Sequence, residues 1–226
     1  MLLAACHPLT PDPLPLPDTV LWAWERPEDL RALNLRTTAV AFLAATLTLS
    51  HAQLTARPRY QPLRFAPGTK LIPVIRLESD LTGLPPTAAV TQAILRTLAT
   101  VPSAAAYQID FDARRSERPW YTALLTELPQ SPPLTITALT SWCEDDGWIR
   151  TLPIAAAVPM LFRMGAATPP PRTLNFPVPV CRANLGLAPD ELPARIPRHR
   201  RLWFFTTRPW TSASANAIVG EARRRQ

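Results

Sequence analysis

The chain has little glycine, almost no lysine and no cysteine pair at metal-binding spacing. Six glycines stand against 28 prolines in 226 residues, a balance that disfavours flexible linkers and favours rigid turns. Lys70 is the only lysine, so the formal charge of +7 is almost wholly arginine. The three histidines, His7, His51 and His199, have no metal-ligand spacing, which argues against a Ser/His/Asp site or a histidine metal centre. Without a CxxC or a Cys/His cluster, structural zinc is not expected. No apolar run reaches transmembrane length; AVAFLAATLTL is too short, and polar residues follow it.

What is present fits one domain. The length carries one sizeable core and is short for two, and a hydrophobic content of 47% is that of a globular protein. Arginines cluster in RIPRHRR (195–201) and RRR (223–225). A polyanion could use them, but no nucleic-acid motif accompanies them, so they read as solvated faces and no nucleic-acid partner is expected.

Residues 1–18 read separately from the rest. Leu3-Ala4-Ala5-Cys6 has the form of a bacterial lipobox, and HPLTPDPLPLPD after it has the composition of a stiff, extended tether. A working export signal needs a basic region and about 7–15 apolar residues before the cleavage site, whereas only Met1 and Leu2 precede the box. The expectation is a longer precursor, lipidated at Cys6 and anchored on the periplasmic side of the envelope; a chance LAAC would leave the protein cytoplasmic. Cys143 and Cys181 are then free to pair in an oxidising periplasm, although their spacing alone does not bring them together.

From residue 19 onward, short apolar strands recur. They are expected at 19–24, 38–49, 70–78, 106–113, 134–142, 157–164, 181–188 and 201–207, with amphipathic helices at RPEDLRALN, PTAAVTQAILRTLAT, RPWYTALLTEL and TSASANAIVGEARRR. Strands alternating with helices predict parallel βα units, and eight of them an α/β fold closed as an irregular (β/α)8 TIM-type barrel over 19–226. Helices are missing from the pattern after strands 2 and 6. An open doubly wound sheet is the alternative, but WERPED stands where its glycine-rich phosphate loop would be.

The stretch YQIDFDARRSERPWY (107–121) carries the chemistry. Alternation puts Tyr107, Ile109 and Phe111 on one face and Gln108, Asp110 and Asp112 on the other. Those aspartates either join a structural ion-pair network or face a polar cavity. In a βα barrel, ligand-facing groups come from the carboxyl ends of the strands. There the sequence places Trp24, Arg76 with Glu78, Asp112, Trp142 with Glu144, Arg163 and Trp210. Two carboxylates with aromatic planes beside them are what glycoside hydrolysis needs. The candidate catalytic residues are therefore Asp110, Asp112 and Glu78; Arg76, Gln108, Trp24, Trp142, Glu144, Arg163 and Trp210 are the candidate substrate-binding residues. A divalent ion on Asp110 and Asp112 would need more oxygen ligands than two, so neither metal nor cofactor is expected.

The blocks YQIDFDARRSERPWYTALL, TALTSWCEDDGWIRTLP and VPMLFRMG resemble a family of bacterial proteins catalogued as domain of unknown function 3142. That resemblance covers the chain from about residue 19 and implies a single barrel-like domain in exported or lipid-anchored proteins. The I-D-F-D segment is also similar to the D-x-D-x-E strand motif of family 18 chitinase-like barrels. Asp110 and Asp112 match its aspartates, while Arg114 stands where that family has its proton-donating glutamate. A different acid, Glu78 or Glu144, would have to serve. The expected partner is a polysaccharide or other glycan. The rival expectation is a non-catalytic barrel lipoprotein that binds a glycan or a protein.

Overall fold

The computed structural model describes residues 14–101, 103–162 and 174–226. In chain order its first elements are β1 (Thr19–Ala23), β2 (Glu28–Leu30), β3 (Thr38–Ser50), β4 (Gln53–Pro58), β5 (Leu63–Phe65) and β6 (Leu71–Ser79). Helix α1 (Thr87–Ala99), β7 (Tyr107–Asp110), α2 (Arg118–Glu127), β8 (Leu134–Leu139) and β9 (Ala156–Met160) follow. The chain ends through β10 (Asn184–Leu187), β11 (Arg201–Phe204) and α3 (Ser212–Arg224).

Strands β1, β3, β6, β7, β8, β9, β10 and β11 pair in that order, every pair parallel. Strand β11 then pairs with β1 and closes an eight-stranded barrel. These are the eight strands expected from the apolar runs. Strand–helix alternation is only partial. Helices of ten or more residues follow β6, β7 and β11; among the described residues the other connections are turns, short 3-10 or π turns, and extra strands. RPEDLRALN, expected as a helix, instead forms β2, which pairs with β5, and turns. Its Glu28 is buried, accepting from Arg26 Nε at 3.0 Å and from the Trp210 backbone N–H at 2.7 Å. The tertiary bond to Trp210 and the pairing with β5 override a short amphipathic pattern. After β3 the chain reverses through His51 and Ala52, both at positive φ, and returns as β4, antiparallel to β3.

The core has two shells. Inside the barrel, Val20, Trp22, Ala39, Ala41, Ile72, Val74, Ala106, Ala156, Val158 and Trp203 form one apolar cluster. Four alanines leave room for two indoles whose ring centroids are 5.4 Å apart, so the lumen is packed with side chains rather than hollow. Gly186 is part of that fit, since a Cβ there would stand 3.1 Å from the Trp22 ring. The opposite strand faces meet α1, α2, α3 and the loops in a larger cluster. Cys143 and Cys181, 38 residues apart, are joined by a disulfide in that outer layer.

The described part of the proline-rich segment is docked on the barrel. Leu14 is buried with the lumenal cluster, and the buried Arg201 donates to the carbonyls of Leu14, Leu16 and Pro17 at 3.3, 2.9 and 2.8 Å. Cys6 lies outside the described residues.

Candidate functional site

The site follows from strand parity. Register sets Arg76 opposite Asp110, and Gln108 opposite both Val74 and Thr135, so alternate residues of β6, β7 and β8 share the lumenal face. A β-bulge between Leu43 and Ala45 shifts β3 by one residue, bringing Thr46 opposite Arg76 and Thr48 opposite Glu78. Without the shift, Leu47 and Leu49 would point at the mouth; with it they join the outer core.

At the mouth Arg76 holds two carboxylates. Its Nη1 donates to Asp110 Oδ2 at 3.2 Å and its Nε to Glu78 Oε1 at 2.8 Å, while Thr137 Oγ1 donates to Asp110 Oδ1 at 2.7 Å. The guanidinium also lies 5.8 Å from the Trp24 ring centroid. Burial raises the pKa of Asp110, and the charge of Arg76 and the hydrogen bonds from Thr137 and Arg76 oppose that rise. For Arg76, burial lowers the pKa, but Asp110, Glu78 and Asp112 outweigh it and the net direction is up.

Asp112 stands just beyond the end of β7. It is exposed and accepts no hydrogen bond from any described residue. The protein mass around its base, and then the like charge of Asp110, push its pKa up, with Arg76 acting in the opposite sense. It borders an open cleft of ≈ 690 Å³, whose wall also includes Arg114, Arg118, Ser141 and Asp146. Behind the cleft Tyr121 is fully buried, its hydroxyl without a partner among the described residues. Its ring packs edge-on to Phe111 at 5.2 Å. Burial, then the charges of Asp110 and Asp112, raise the pKa of that phenol.

Arg76, Glu78, Asp110 and Asp112 are thus gathered as parity predicts, with Trp24 beside Arg76, while the other candidates differ in depth and exposure. Gln108 is one layer below the mouth, fully buried, with Oε1 accepting from Trp22 Nε1 at 2.8 Å, so it braces that indole. Trp210, 3% exposed, donates from Nε1 to the Trp22 carbonyl at 2.9 Å and packs within the core. Trp142, 1% exposed, borders the cleft but packs against Trp148 at 5.0 Å, so its ring faces are largely covered. Glu144 is half-buried on the turn after β8. Arg163 lies outside the described residues.

Three residues at this end escaped the reading of the sequence. Thr137 shares the parity of Thr135, which its pairing with Gln108 makes visible only once the register is known. Phe205 continues the alternation of Arg201 and Trp203; it meets Trp24 edge-on at 6.0 Å and stacks on Phe162 at 5.3 Å. Among the described residues no group of three or more His, Cys, Asp or Glu side chains gathers as a metal site, and no helix is long and apolar enough to cross a membrane. No family model, curated protein or solved structure matches this chain.

Proposed function

We propose that this protein is a carbohydrate-active barrel of the bacterial envelope, a glycoside-hydrolase-like enzyme working through the carboxylates at its mouth. The observation that carries this reading is Asp112: exposed, unpartnered among the described residues, raised in pKa, and set beside a held pair of carboxylates at an open cleft. A carboxyl that keeps its proton at higher pH is suited to general acid work, and Glu78, held in place by Arg76 Nε at 2.8 Å, is placed for nucleophilic or base work. Asp112 protonates the glycosidic oxygen as its bond to the anomeric carbon breaks. Glu78 attacks that carbon, or deprotonates the water that does, and water supplies the hydroxyl of the new reducing end. Asp110 raises the pKa of Asp112 as a close like charge. Arg76 orients Glu78, and Trp24 offers an aromatic edge to the sugar.

The finer readings rest on the same ground. Sequential parallel order around eight strands supports a (β/α)8 TIM-type barrel reduced in helices. The resemblance to domain of unknown function 3142, the LAAC box ending at Cys6 and the Cys143–Cys181 disulfide favour an exported, lipid-anchored protein.

The test is turnover of a panel of neutral and acidic envelope polysaccharides by the full chain and by Asp112→Asn. The expected outcome is product release by the parent and its loss, by at least about 100-fold, in a variant that melts at the same temperature. Full activity in the variant would remove Asp112 from the mechanism. A second reading, a non-catalytic glycan- or protein-binding barrel, is favoured by the hydrogen bonds that satisfy Asp110 from Thr137 and Arg76. It predicts binding without turnover.

A further inference from the structure

The wall of the cleft beside Asp112 carries six charged side chains, Asp112, Arg114, Arg115, Arg118, Asp145 and Asp146, and they are not equally committed. Arg118 is: Nη1 and Nη2 donate to the two carboxylate oxygens of Asp146 at 3.0 and 2.6 Å. Its guanidinium is further fixed over the Trp148 and Trp142 rings, 5.0 and 6.0 Å from their centroids. That pair is a fixed part of the wall. Arg114 and Arg115 are both exposed, and neither guanidinium has a carboxylate or carbonyl partner among the described residues. The charges that act on Asp112 are those of Asp110 and Arg76, so Asp112 does not occupy the two arginines. Asp145 alone is left to face them.

Both arginines lie on the connection between β7 and α2. Arg114 and Arg115 open the short 3-10 turn Arg115–Glu117 that leads into α2. Glu117, the residue before α2, is buried and accepts from the Arg114 backbone N–H at 2.8 Å, so its carboxylate is committed to the backbone and not to either guanidinium. Two uncommitted guanidiniums on the wall of an open cleft, a side chain away from the proposed acid, match a ligand that brings its own negative charge.

We propose that this cleft takes an acidic glycan, one whose sugars carry carboxylate or phosphate groups, with Arg114 and Arg115 as the anion-binding residues. The inference rests on the reading of this mouth as a glycan site and names its substrate class. The neutral sugar ring lies toward Asp112 and Trp24, and the anionic substituent toward the two arginines.

The test is calorimetric binding of three probes to the full chain: oligogalacturonate, the same oligomer fully methyl-esterified, and poly(glycerol phosphate). The expected result is that an anionic probe binds at least about ten-fold more tightly than the neutral ester at low salt, with the preference shrinking as salt rises. In Arg114→Gln/Arg115→Gln, whose replaced side chains are exposed, the preference disappears. Tight binding of the galacturonate identifies carboxylate as the recognised group, and of the glycerol phosphate polymer, phosphate. Equal binding of acid and ester overturns the inference and leaves the glycan reading standing, as does an acid preference that survives in the double variant. No binding of any probe also overturns it, and the glycan reading falls with it only if the polysaccharide panel is silent as well.

Discussion

Asp110 is the residue on which the mouth turns. Burial makes its charged form costly, yet Arg76 and Thr137 hold it in place, and the net direction of its pKa is up, as is that of Asp112. A carboxyl whose pKa is higher folded than unfolded binds more protons in the native state. The stability it contributes is therefore complete below the ordinary value of 3.8 and is lost as pH rises through the raised value. Asp29 and Asp80, lowered to about 2 by hydrogen bonds from Arg31 and from Ser50 and Thr82, act in the opposite sense, losing their contribution as pH falls toward that value. The informative quantity is the difference between parent and Asp110→Asn. The amide keeps an oxygen for Thr137 to donate to and no longer titrates. Urea midpoints are expected to show the variant gaining on the parent as pH rises from about 4 to 7. A difference that is constant with pH would mean that Asp110 is ionised throughout.

At the scale of elements, two irregularities make the barrel usable. The bulge in β3 turns Leu47 and Leu49 outward and sets Thr46 and Thr48 beside Arg76 and Glu78, so one extra residue converts an apolar strand end into a polar one. Gly186 in β10 gives the Trp22 indole its space. A methyl group there would stand 3.1 Å from both the ring and the Pro159 carbonyl, too close on either side. Gly186→Ala is expected to destabilise by roughly 1–3 kcal/mol, the range for overpacking a filled core, and to change the near-ultraviolet dichroism of the Trp22–Trp203 pair. A thermal melt superimposable on the parent's would show that the lumen has slack.

For the whole molecule, closure depends on segments distant in sequence. The disulfide ties the turn after β8 to the turn before β10 across 38 residues. Loop-closure entropy at that length corresponds to about 4 kcal/mol. Cys143→Ala/Cys181→Ala is expected to lose up to that amount in chemical unfolding, and added reductant to lower the Tm of the parent but not of the variant. The segment 14–18 matters similarly. Starting the chain at Thr19 removes buried Leu14 and three carbonyl acceptors of buried Arg201. A loss of at least about 2 kcal/mol is expected, readable as a lower urea midpoint than that of a chain starting before Leu14.

The sequence by itself determined the eight barrel strands, the three long helices and the shared parity of Arg76 with Glu78 and of Asp110 with Asp112. Those follow from local alternation and amphipathic period, which need only neighbours along the chain. It misread RPEDLRALN because the pairing of β2 with β5 and the bond from the Trp210 backbone N–H to Glu28 are long-range facts. Strand parity gave the face that Gln108 shares with Asp110 but not its depth, one layer below the mouth. Only the tertiary structure decided that depth, the pairing of Cys143 with Cys181, the bulge that sets Thr46 against Arg76, and the isolation of Asp112. Each of these depends on the register between strands and on which groups packing leaves without a partner, and both are set when the barrel closes.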